Sequence, residues 1–154
     1  MDRCIGLISD THGLLRPQAI EALRGVDRIV HAGDVGDPAV LERLAKIAPV
    51  SAVRGNVDGG ELARRLPRTA EIETPSGWLH VLHILEELEL NPRAAGFVAV
   101  VFGHSHRPSL EQREGVLYVN PGSAGPRRFE LPVTVARMVA DGGAPRVEYI
   151  DLDV

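Results

Sequence analysis

Apolar and polar positions along this chain follow two different rhythms. Up to about residue 58, short apolar runs alternate with segments of helical spacing. Cys4 to Ser9 predicts a buried strand running into Asp10-Thr11-His12-Gly13, and Pro17 to Leu23 a short helix. Pro17 falls in the first turn of that helix, where its missing N–H is not needed. Val26 to Ala32 is a second strand, ending in Gly33-Asp34. Asp37 then caps a helix from Pro38 to about Ile47, whose inner face carries Val40, Leu41, Leu44 and Ile47. Val50 to Arg54 is a third strand, leading to Gly55-Asn56-Val57-Asp58. Strands and helices alternating at this length predict a parallel core sheet.

Later in the chain the strand rhythm takes over. Thr69 to Thr74 and Trp78 to His83 flank Pro75-Ser76-Gly77 and read as a hairpin. Phe97 to Phe102 is an apolar strand ending in Gly103-His104-Ser105-His106. Ser109 to Glu114 with Val116 to Asn120, and Val133 to Ala140 with Arg146 to Leu152, read as two further hairpins, the last turning at Asp141-Gly142-Gly143. Leu85 to Leu90 predicts a short amphipathic turn or helix with an acidic outer face. Together these signals predict an α/β fold with two sheets packed in one domain over residues 1–154 and helices outside.

Composition narrows the class without naming a function. The chain has 154 residues, 44% hydrophobic and 25% charged, ordinary values for a globular protein with its own core. Cys4 is the one cysteine, so no intramolecular disulfide can form. No apolar run approaches the ~20 residues that span a bilayer, and the start of the chain does not read as a signal peptide. A cytoplasmic location is therefore expected. A formal charge of −4 argues against a general nucleic-acid binder, but not against a phosphate-bearing substrate, because bound cations would reverse the local field.

Nearly every polar cluster stands at the end of an apolar strand: Asp10 and His12, then Asp34, Asn56, His83, and His104 with His106. In open α/β sheets, loops at strand ends gather into sites. Carboxylate, imidazole and amide donors converging there describe a metal site. Seven donors exceed the needs of one catalytic ion, and a carboxylate such as Asp34 between two ions would complete both shells. Two metals roughly 3.5–4 Å apart can hold a bridging hydroxide near neutral pH. Gly13, Gly33, Gly55 and Gly103 beside these residues would permit tight turns and close backbone approach.

The ordered set DTH, GD, GNVD, a lone histidine and GHSH resembles the calcineurin-like metallophosphoesterase superfamily. HAGD at 31–34, RGN at 54–56 and NPGS at 120–123 resemble its small YfcE-like branch. The resemblance covers about residues 4 to 128 and implies an αββα sandwich of two mixed sheets flanked by helices. It assigns Asp10, His12 and His106 to one ion, Asn56, His83 and His104 to a second, and Asp34 to both, with Asp34, Asn56 and His104 also serving catalysis. The cofactors it implies are two divalent ions, manganese first; the ligand types equally fit Fe, Zn, Co or Ni.

Two departures stand out. Val57 replaces the histidine of GNHD, the usual proton donor to the leaving group. His83-Ile84-Leu85 stands where the small branch has His-Gly-His. Leaving-group protonation then has no clear owner; Glu86, Glu87 and a metal-associated water are the candidates.

Other polar residues have plainer readings. His31 reads as a structural histidine and Asp58 as a turn residue or a partner of the ligands. His80 would point to the opposite face of its strand from His83. Asn120 to Ser123 could be a turn, a set of backbone donors, or a brace for the GHSH loop. Arg127 and Arg128 could contact phosphate but read first as solvated. The leading expectation is a phosphodiesterase acting on a small phosphoester. The alternatives are a phosphomonoesterase, or a binding scaffold with weak catalysis, a use to which a retromer subunit puts this fold.

Overall fold

Asp37 shows how local chemistry sets the element boundaries. Its side chain accepts the Ala39 N–H at 2.9 Å, and Pro38 follows as first residue of the helix, so the helix starts where the sequence places it. The protein is described here over residues 2–154 by a computed structural model. Its first half runs β1 (Cys4–Ile8), α1 (Pro17–Ala22), β2 (Arg28–His31), α2 (Pro38–Leu44), β3 (Val50–Ala52) and α3 (Gly60–Arg65). Next come β4 (Thr69–Thr74), β5 (Gly77–Leu82), a 3-10 turn (Leu85–Glu87), α4 (Pro92–Ala95) and β6 (Phe97–Val101). The chain closes with β7 (Ser109–Arg113), β8 (Val116–Asn120), β9 (Thr134–Val139) and β10 (Arg146–Asp151).

The strands form two five-stranded sheets, ordered β10-β9-β1-β2-β3 and β4-β5-β6-β8-β7. β1, β2 and β3 are parallel, as the alternating pattern predicts. The three expected hairpins are all present. Less expected is that β5, β6 and β8 are also parallel, with β4 and β7 as antiparallel edges. The final hairpin joins the first sheet through β9, antiparallel to β1.

Side-chain alternation makes the layers. Ile5, Leu7, Val30 and Val53 of the first sheet meet Leu79, Val81, Ala99, Val101 and Val119 of the second in one buried cluster. The other face of the first sheet, with Ile8 and Ile29, packs on Leu23, Leu44 and Leu62 from the helical side. Truncating such a buried leucine to alanine typically costs about 2–5 kcal/mol. On the outer face of the second sheet, Leu82 and Val100 are covered by Leu85 and Leu88 around the 3-10 turn, with α4 against β6. No helix among the described residues is long and apolar enough to cross a membrane. Because each sheet has a parallel core, the C-terminal ends of β1, β2, β3, β5, β6 and β8 all carry loops toward one edge of the sandwich.

Candidate metal centre

The loops at that edge adopt an uncommon backbone conformation. Asp10, His12, Asp34, His104 and His106 have φ of 54°, 47°, 55°, 74° and 63°. Non-glycine residues enter this left-handed region rarely, at a cost of about 1–3 kcal/mol where the conformation is strained. Backbone bonds between the loops hold it: Asp10 N–H donates to Gly33 O, His12 N–H to Asp34 O, and Gly103 N–H to His83 O, each at 3.0 Å. Two glycines permit the close approach. A Cβ on Gly33, whose φ is 105°, would lie 2.6 Å from Nδ1 of His83; one on Gly103 would lie 2.7 Å from Oδ2 of Asp10.

Side chains from both sheets then converge. Asp10, His12 and His106 form one group, and Asp34, His83 and His104 a second, each with one donor atom per residue within 4.8 Å of the others. His106 Nε2 lies 3.4 Å from Asp10 Oδ1 and 3.3 Å from His12 Nε2. Asp34 Oδ2 lies 3.1 Å from His83 Nε2 and 3.6 Å from His12 Nε2, so this carboxylate reaches both groups. Asn56 joins the second, its Oδ1 3.2 Å from Nδ1 of His104. All seven residues singled out in the sequence therefore meet at one place.

Burial and mutual charge set their electrostatics. Burial pushes the Asp10 carboxyl above its ordinary range, although His83 and the Ser9 hydroxyl pull the other way. Burial also acts on Asp34 and His83, but their contact outweighs it, aided at Asp34 by the Val57 amide: Asp34 is held low and His83 high. His106 is driven down to about 4, first by burial and then by the charge of Arg128. Asp10 Oδ1 in the first group and His83 Nε2 in the second are buried without a hydrogen-bond partner. Oxygen and nitrogen donors left unsatisfied in two adjacent groups fit a pair of divalent cations.

A second layer of contacts fixes the donors. His83 Nδ1 donates to Ala32 O at 2.7 Å, leaving Nε2 as the ring's free donor atom toward Asp34. Ser9 Oγ donates to Asp10 Oδ2 at 2.7 Å. Asp58, read as a partner of the ligands, accepts three amides: Gly55 at 2.9 Å, Gly36 at 3.0 Å and Val35 at 3.2 Å. It thereby ties the Asp34 loop to the Asn56 loop. Asn120 braces the GHSH segment, its Nδ2 donating to Gly103 O and Ser105 Oγ at 3.1 Å, while Ser123 Oγ donates to Asp10 O at 3.0 Å. His31 is structural, as read. Its Nδ1 accepts the Gly33 N–H, Nε2 meets Thr11 Oγ1 at 2.9 Å, and Thr11 Oγ1 donates to Val35 O. Burial drives His31 to about 4, keeping the ring neutral. The parts played by the Ser9 and Thr11 side chains were not singled out in the sequence, because a lone hydroxyl carries no pattern.

The departures from the family pattern are equally visible. Val57 is 53% exposed, and its N–H donates to Asp34 Oδ1 at 3.0 Å. Glu86 and Glu87 are exposed, with Glu87 3.4 Å from Arg68. Both line a cleft of about 1010 Å³ that also touches Asn56 and His83. Arg127 and Arg128 are exposed, and Arg127 donates to Val154 O. His80 lies on the face of β5 opposite the sheet interface, its ring centroid 5.0 Å from that of Phe97.

The model of the calcineurin-like phosphoesterase superfamily domain matches residues 4–143. The chain belongs to this superfamily. A probable metallophosphoesterase of Methanothermobacter thermautotrophicus is 33% identical over 147 residues, covering 87% of this chain and 85% of that one. A phosphodiesterase of Methanocaldococcus jannaschii is 27% identical over 136 residues, covering 77% of this chain and 82% of that one. Among solved structures, Vps29 of Chaetomium thermophilum superposes with a TM-score of 0.79 at 19% identity, covering 96% of this chain and 94% of that chain. That likeness concerns the fold alone. Members of this calcineurin-like superfamily use divalent metals, and the two donor groups are the candidate ligands here.

Proposed function

We propose that the protein is a dinuclear metal-dependent phosphodiesterase of the hydrolase class. One observation carries the reading: two donor groups stand side by side with the Asp34 carboxylate reaching both. Asp10, His12 and His106 would hold one cation, Asn56, His83 and His104 the other, and Asp34 both. The cations would be manganese first, with Fe, Zn, Co or Ni fitting the same donors. Bound there, they would supply Lewis acidity and a water acidic enough to serve as nucleophile near neutral pH.

The chain's own residues orient this chemistry. The Ala32 carbonyl fixes the His83 tautomer, and Asp58 and Asn120 hold the loops that carry Asp34, Asn56 and His104. No side-chain nucleophile is invoked. A monoanionic diester suits the surroundings better than a dianionic monoester. The cleft beside the site offers two guanidiniums, Arg54 and Arg68, and Arg68 is already paired with Glu87. The phosphodiesterase of M. jannaschii supports the same choice.

The test is hydrolysis of bis(p-nitrophenyl) phosphate against p-nitrophenyl phosphate, with EDTA, added Mn²⁺ and an Asp34→Asn variant. The expected result is Mn²⁺-dependent turnover that favours the diester and falls by about a hundredfold or more in the variant. A protein that binds two metals yet turns over no faster than Asp34→Asn would instead be a binding scaffold.

A further inference from the structure

Four buried side-chain polar atoms among the described residues have no hydrogen-bond partner. Three belong to the candidate ligands Asp10, His83 and His106. The fourth is Nδ1 of His80. His80 is only 4% exposed, and it lines the cleft of about 1010 Å³ that reaches the metal centre at Asn56 and His83. Nδ1 itself is sealed from solvent, so the cleft reaches the remaining edge of the ring, which forms no side-chain hydrogen bond among the described residues and is open to a ligand. Burial pushes its pKa down against the pull of Glu71, so the ring stands neutral, with one nitrogen able to accept.

The cleft around His80 has a distinct charge. Five carboxylates line it (Asp58, Glu71, Glu86, Glu87 and Glu89) against two guanidiniums. Asp58 is committed to three amides and Glu87 to Arg68, while Arg54 donates to Ala63 O. Glu71, Glu86 and Glu89 form no ion pair among the described residues, and Glu71 faces His80 directly across the β4–β5 pair. An acceptor nitrogen and an unpaired carboxylate on adjacent strands recognise a group that donates several hydrogen bonds and carries positive charge.

We infer that this cleft is a subsite for the non-leaving ester arm of a phosphodiester, and that it selects an arm bearing a primary ammonium and no further negative charge. The ammonium donates to Glu71 and to His80, while the phosphodiester itself sits over the donor groups at Asn56 and His83. The inference rests on the phosphodiesterase reading for its chemistry. Its geometry, a cleft with an unmatched histidine beside an unpaired glutamate, stands independently of turnover.

The experiment compares three diesters that share p-nitrophenolate as leaving group and differ in the other arm: methyl, 2-aminoethyl and 2-carboxyethyl. In the Mn²⁺-loaded protein the aminoethyl diester should exceed the methyl diester in kcat/KM by about tenfold, and the carboxyethyl diester should fall below it. Glu71→Gln, on an exposed strand position, and His80→Phe, which fills the same space without an acceptor, should each cut the ratio of aminoethyl to methyl kcat/KM about threefold or more. Equal kcat/KM for the methyl and aminoethyl arms overturns the inference, as does a preference that survives both substitutions. If even the methyl diester shows no metal-dependent turnover, the phosphodiesterase reading fails and the cleft is judged by binding. Amide shifts at Glu71, His80 and Glu86 on adding 2-aminoethyl phosphate, absent with methyl phosphate, support the subsite; no difference between the two probes overturns it.

Discussion

Nε2 of His83 lies 3.1 Å from Oδ2 of Asp34, a contact that closes one sheet's loops against the other's. Asp34 follows β2 in the first sheet and His83 follows β5 in the second. The candidate metal centre therefore also acts as a cross-link between the layers, and its occupancy should register in stability. Manganese at a hundred times its dissociation constant should add about 2.7 kcal/mol per site, or roughly 5–10 °C in Tm. Asp34→Asn should lose more than half of that shift by differential scanning fluorimetry. An equal shift in both proteins would mean the ions bind elsewhere.

A second prediction concerns acid. His31 has an ordinary pKa near 6.5 in the unfolded chain and about 4 when folded. As pH falls through 6.5 the unfolded chain takes up a proton that the folded protein refuses until about pH 4, so stability drops across that window and then levels. Between pH 7 and pH 5 this one group should remove about 2 kcal/mol. Urea unfolding of wild type and His31→Gln at both pH values isolates it. Parallel losses in the two proteins would assign the acid sensitivity to other groups.

Asp58 offers a test of the loop brace. Its carboxylate is 7% exposed and accepts three amides from two loops. Asp58→Ala should cost about 3 kcal/mol in unfolding free energy and weaken Mn²⁺ binding about tenfold to a hundredfold. Unchanged Mn²⁺ affinity by calorimetry would confine Asp58 to stability.

The missing proton donor can be supplied. Val57 is exposed beside Asn56, so Val57→His places an imidazole at the rim without disturbing the core. Turnover of alkyl diesters, whose leaving groups need a proton, should rise about tenfold, and that of nitrophenyl diesters little. A shallower dependence of rate on leaving-group pKa is the readout. Equal gains on both substrate classes would argue against a donor role.

Much of this arrangement was legible in the sequence because strand ends announce themselves. Apolar runs stop at DTH, GD, GNVD and GHSH, and the fold brings those stops to one edge. The parallel pairing of β5, β6 and β8 was hidden, since periodicity shows that a strand exists but not which neighbour it takes. α3 was also missed: no element is read between Asp58 and Thr69, yet Gly59 serves as the cap of a short helix whose Leu62 is buried against the helical core. Partnerships such as His31 with Thr11, or Asp58 with Val35, Gly36 and Gly55, depend on loops meeting in space. Sequence could suggest their supporting role but not their partners.

The five left-handed residues change how this site must be dissected by mutation. Alanine at Asp10, His12, Asp34, His104 or His106 would remove a donor and also place a methyl-bearing residue in a conformation it resists, so an alanine scan mixes two losses. Asparagine for the aspartates keeps both shape and tolerance of the turn. For the histidines, glycine relieves the turn and leaves a hole that added imidazole can refill. Recovery of metal binding with imidazole would then measure the side chain alone, free of the backbone that carries it.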